Sequence, residues 1–151
     1  MRNLMKKFVL LLLFFSDVAF AAPSHFSIAI GSALVCLDQV TAEHFNDYMK
    51  TNFGKPTFTA GEANWWKVDE RLFNAEVQYV FVGLSQDFIG ATLKDEPDKL
   101  IAKMRSYMGM DYKQMGAEKW ITPTGGVIIK YYDKTTPSKM YCIGAPHTPN
   151  L

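Results

Sequence analysis

Two cysteines, three histidines and a scatter of carboxylates are the groups in this 151-residue chain that could do chemistry. Cys36 and Cys142 offer either a thiol nucleophile or a disulfide. Both lie in apolar runs, ALVCL and MYCIG, and no CxxC motif is present. A reactive thiol needs an electropositive, partly exposed setting that lowers its pKa, and these runs supply none. A Cys36–His44 pair can be drawn, but eight residues of separation do not bring nucleophile and base together, and no third group orients the base. His44, with Glu43 and Asp47 one helical turn apart, lacks the further ligands that a metal site requires and reads as a solvated helix face. No metal or cofactor is expected. Asp69 and Glu70 stand beside Arg71, which suits a turn with a local ion pair, and Asp95, Glu96 and Asp98 suit a helix start. Neither group makes a case for a pair of acid–base carboxylates. No G-x-S-x-G, phosphate-binding loop or dinucleotide fingerprint occurs.

The aromatic residues carry more information. Trp65–Trp66 and Tyr131–Tyr132 are adjacent pairs in strand-like segments. Successive strand residues point to opposite faces, so one member of each pair must leave the core side. Trp and Tyr are enriched at binding hot spots, which makes Trp65, Trp66, Tyr131 and Tyr132 the candidate binding residues. Cross-strand packing on a solvated face is the competing explanation. Met104, Met108, Met110 and Met115 could line a ligand pocket or simply fill a core.

The elements that must position these residues come in blocks. Residues 26–37 are apolar and open to either a strand or a helix. Thr41 is an N-cap for a helix to about Asn52, with Phe45, Tyr48, Met49 and Phe53 as its buried face and Gly54 and Pro56 as its stop. Strands are expected at 64–68, 76–83 and 88–93, with Asp69-Glu70-Arg71 as a polar break. A second helix begins near Pro97, carries Leu100, Ile101, Met104 and Met108, and closes at Gly109. Residues 119–122 and 126–132 form a hairpin around Pro123-Thr124-Gly125-Gly126, and 138–143 is the last strand. The expected fold is α+β: two helices on one face of a mainly antiparallel sheet, in the order α-βββ-α-βββ, a faint internal repeat.

Residues 1–21 read as a cleaved secretory signal peptide. Arg2, Lys6 and Lys7 precede the apolar run FVLLLLFF, and Ala19-Phe20-Ala21 offers the small residues read at cleavage. The run falls well short of the about 20 apolar residues that a membrane anchor needs. Cleavage would leave residues 22–151 as one domain of 130 residues, with 13 basic and 14 acidic side chains. Near-neutrality argues against nucleic acid and against anionic membrane surfaces as partners. In an oxidising compartment the two cysteines are expected to pair. Together these features describe an exported, periplasmic or secreted, non-catalytic binding protein of the inhibitor or immunity type. It would bind a protein partner through an aromatic sheet face. The alternatives are a small-ligand carrier and a small hydrolase using His44, Asp47 and Glu43.

Overall fold

The computed structural model describes residues 25–144; the expected signal peptide lies outside them. The ambiguous apolar segment is a helix, α1 (Phe26–Leu34), and its buried residues Phe26, Ile30, Ala33 and Leu34 follow helical spacing. Next comes α2 (Ala42–Phe53), whose expected N-cap Thr41 has extended backbone but makes no side-chain cap bond. The Ala42 N–H instead donates to Asp87 Oδ1 at 2.7 Å, so a distant loop performs the capping. At its other end Gly54 takes a φ of 77°, where a side chain would be strained.

Eight strands follow: β1 (Phe58–Ala60), β2 (Ala63–Leu72), β3 (Ala75–Gly83), β4 (Phe88–Leu93), β5 (Lys113–Gln114), β6 (Lys119–Ile121), β7 (Val127–Lys130) and β8 (Ser138–Ile143). A third helix, α3 (Pro97–Met108), lies between β4 and β5. The helix places Pro97 in its first turn and ends on Gly109 in the left-handed region, as the sequence predicts. The strands form one antiparallel sheet in the order β1-β2-β3-β4-β8-β7-β6-β5. It consists of two four-stranded meanders that meet along β4 and β8, each preceded by helix. Trp66 and Trp120 sit on the second strand of their respective meanders and pack against the same core, which gives the faint repeat a structural form.

The α+β class, the helix-covered antiparallel sheet and the disulfide agree with the sequence reading. The count differs by one helix and by two edge strands. β1 and β5 have three and two residues, too short for alternation to be read. Asp69-Glu70-Arg71 is no break either: it lies inside β2, where a register shift between Lys67 and Glu70 absorbs the irregularity as a bulge. The real turn is Phe73-Asn74, with both residues at positive φ, 51° and 63°, as a two-residue hairpin of primed type requires. The Phe73 ring packs over α1 at Gly31, where an added Cβ would lie 2.7 Å from its tip.

The core joins the inner sheet face to all three helices, with Trp66, Leu34, Met49, Leu100, Met104 and Met140 among its buried members. One polar thread crosses it. Asn46 of α2 donates to the Ala42 and Gly83 carbonyls and accepts from Asn64 Nδ2, each at 2.8 Å. Cys36 and Cys142 form the disulfide, with Cα atoms 5.4 Å apart, tying the segment after α1 to the central strand β8. The bond is consistent with an oxidising, exported environment.

Tyr112 is buried, and its hydroxyl has no hydrogen-bond partner among the described residues. Burial pushes its pKa well above the ordinary value of 10.0. The folded value is therefore the higher one: its contribution to stability is complete below about pH 10 and is lost as pH rises beyond that. Tyr112→Phe removes the orphaned hydroxyl while keeping the ring. We expect unchanged or slightly raised stability at neutral pH and a shallower loss above pH 10, read from urea unfolding across alkaline pH. A variant that loses stability at neutral pH would show that the hydroxyl has a partner after all.

Candidate interaction surface

Alternation along β2 sends Trp66 inward and Trp65 outward. Trp66 is 1% exposed, and its indole N–H donates to the Gly54 carbonyl at 2.9 Å. Trp65 stands on the sheet face opposite the helices, in register with Phe58 on one side and Phe81 on the other. The register continues from Phe81 to Gly90 and from Gly90 to Tyr141, so these residues share one row across the outer face. A second row holds Lys67, Tyr79, Thr92, Lys139, Ile129 and Lys119.

The rings of the first row stack on one another. Phe58 lies against Trp65 at 5.5 Å between centroids and 13° between planes, and Trp65 against Phe81 at 4.5 Å and 28°. Tyr79 meets Phe58 and Trp65 edge-on. Gly90 makes the stack possible: a Cβ there would sit 1.9 Å from the tip of the Phe81 ring. The ring therefore lies down over a strand position that carries no side chain. Phe58 and Phe81 occupy both faces of Trp65, which is left with its edge outward, while Phe58 ends the stack at the sheet edge. The Trp65 N–H is also engaged, donating to the Ala60 carbonyl at 3.0 Å.

Lys139 reaches into the same cluster. Its ammonium lies 4.0 Å from the Tyr131 ring centroid, 5.4 Å from Phe81 and 5.7 Å from Trp65, a three-sided cation–π arrangement. Partial burial lowers its pKa from the ordinary lysine value. Among the described residues no carboxylate or carbonyl accepts from it. Its register partner Thr92 is 2% exposed, and the Thr92 hydroxyl also has no partner.

The candidate residues thus separate. Trp65 and Tyr131 come together around Lys139, whereas Trp66 belongs to the core and is out of reach of any partner. Tyr132 points away at 79% exposure and donates its hydroxyl proton to the Glu118 carboxylate, which raises its pKa. The sequence reading missed Phe58, Tyr79, Phe81, Gly90, Thr92 and Lys139. Tyr79 and Phe81 alternate with Val80 and Val82 in EVQYVFVG, so the signal for two of them was present in the strand pattern.

The other chemistry-bearing residues lie elsewhere. Glu43, His44 and Asp47 are exposed on α2, and His44 stacks edge-on against Phe45. Among the described residues no group of three or more His, Cys, Asp or Glu could hold a metal ion. Asp95 is committed to Lys103, at 2.6 Å. Met104 is core, while Met115 is half-exposed beside Tyr112 and Ile121 in an open groove of about 420 Å³. No protein-family model matches the chain, and neither a curated protein nor a solved structure shows significant similarity to it.

Proposed function

We propose that the chain is exported, loses residues 1–21, and works in the periplasm or outside the cell as a non-catalytic binding protein. In this reading it is of the inhibitor or immunity type and engages a protein partner through its outer sheet face. One observation carries the reading: the helices cover only one side of the sheet, and the other side concentrates Phe58, Trp65, Tyr79, Phe81 and Tyr131 around a single lysine. Large rigid aromatics clustered on a sheet face that no helix covers are the composition of an interaction hot spot, and here they run from the edge strand β1 inward to β3. Sugar and nucleic-acid sites use aromatic rings as platforms that need free ring faces, and here Trp65 has both faces occupied. The disulfide supports the exported setting.

The test is capture of the partner from cell-envelope extract with the tagged, exported protein, followed by affinity measurement. Trp65→Ala is expected to weaken binding at least about tenfold, the effect of losing a central aromatic anchor. Tyr131→Ala should act in the same direction, and Tyr132→Ala should not. Binding that survives Trp65→Ala and Tyr131→Ala together would place the interface elsewhere on the molecule.

A further inference from the structure

We propose that the partner brings a carboxylate to Lys139, making this lysine the charge-selective point of the aromatic face. The inference rests on the reading of that face as a protein-binding surface, and it names the chemistry of what binds.

Three observations converge. First, the Lys139 ammonium has three N–H donors and lies against three aromatic rings, at 4.0, 5.4 and 5.7 Å from their centroids, with no carboxylate or carbonyl acceptor among the described residues. Ring faces attract a cation but do not provide the oxygen acceptor that its N–H groups have in water. Second, the residue directly across from it, Thr92, holds another donor without an acceptor. The ammonium is partly exposed while the Thr92 hydroxyl is buried, so donors exceed acceptors at this point and an oxyanion reaching the ammonium is the complementary group. Third, the charged residues of the two rows around Lys139 are all basic, while Asp69, Glu70 and Glu76 lie beyond the bulge in β2, where Glu76 pairs with Lys94. Lys67 and Lys119 share the row of Lys139, Lys113 falls in register with Ile121 in the neighbouring row, and no acidic residue occupies either row.

The same face selects among oxyanions. A nucleic-acid phosphate arrives with bases that stack on free ring faces, but Trp65 is sandwiched and the Tyr131 ring lies under Lys139. A second copy of this chain would oppose lysine to lysine. An aspartate or glutamate flanked by apolar side chains satisfies both features, with its carboxylate on Lys139 and its neighbours against the ring edges and the exposed Ile143.

The experiment selects peptides from a random displayed library on the exported protein and measures the enriched peptides by calorimetry. Enrichment of Asp or Glu beside aromatic or aliphatic residues is expected. Changing that acid to its amide, or making Lys139→Met, should each weaken binding about tenfold or more, and the two changes together should cost little beyond either alone. Lys139→Arg should retain most of the affinity. The amide peptide tests the idea on unaltered protein, so a misfolded Lys139→Met would not obscure the answer. Amide and acid peptides that bind equally, yet are both lost with Trp65→Ala, would overturn the carboxylate and leave the face standing. Peptides indifferent to Trp65→Ala would overturn both. Single-stranded DNA or phosphatidylglycerol vesicles that bind through Lys139 more tightly than the acidic peptides would overturn a protein source for the anion.

Discussion

Replacing both cysteines, Cys36→Ala with Cys142→Ala, is expected to cost up to about 4–5 kcal/mol of stability while leaving the native fold in place. The bond closes a loop of 106 residues, most of the described residues 25–144, and loop-closure entropy grows with that length. Local contacts would still hold the same junction in the folded state. Thr124 Oγ1 donates to the Val35 carbonyl at 2.5 Å, and Gly126 lies so close to Val35 that a Cβ there would be 2.7 Å from the Val35 Cα. The loss should therefore come mainly from a more expanded unfolded chain. Urea unfolding should show a lower midpoint together with a steeper dependence on denaturant, against an unchanged native circular dichroism spectrum. Typical domains have only about 5–15 kcal/mol in total, so a cost of this size puts the reduced protein near its threshold. A loss below about 1 kcal/mol would show that the unfolded chain is not constrained by this bond.

Trp66→Ala carries the second large effect, about 3–5 kcal/mol from emptying a core position and a further contribution from the Gly54 carbonyl left without its donor. That carbonyl belongs to the glycine that ends α2, so Trp66 both fills the core and pins the helix end to β2. Trp66→Phe should recover much of the packing but not the hydrogen bond, leaving a deficit of about 1–2 kcal/mol. Trp65→Ala, one residue earlier, should cost less than half as much stability and should instead weaken partner binding at least about tenfold. Chemical denaturation of the three variants, paired with the affinity measurement, separates the two roles. Equal stability losses at Trp65 and Trp66 would mean that β2 does not face the way described.

Local patterns were enough for most of the framework. Helix α3 is bounded by Pro97 and Gly109 because one residue suits a first helical turn and the other tolerates the left-handed conformation at the end. Strands β4 and β8 begin and end where turn residues flank short apolar runs. The failures share a cause. β1 and β5 exist only because longer strands beside them offer hydrogen-bonding edges, and Asp69-Glu70-Arg71 stays in a strand because β3 pairs across it. Those decisions depend on residues far away in the chain, which no local window contains.

The candidate site shows the same division more sharply. Adjacency alone determined that Trp65 and Trp66 face opposite ways, since a strand repeats every two residues, and a chain with two cysteines left only one intramolecular pairing to make. Which tryptophan turns outward was decided only when the three helices chose a side of the sheet. The stack of Phe58, Trp65 and Phe81 over Gly90, and the placing of Lys139 among rings from three separate segments, likewise required cross-strand register. A period of two specifies that faces differ but not which face is buried; that sign comes from long-range burial of apolar surface, a property of the assembled fold.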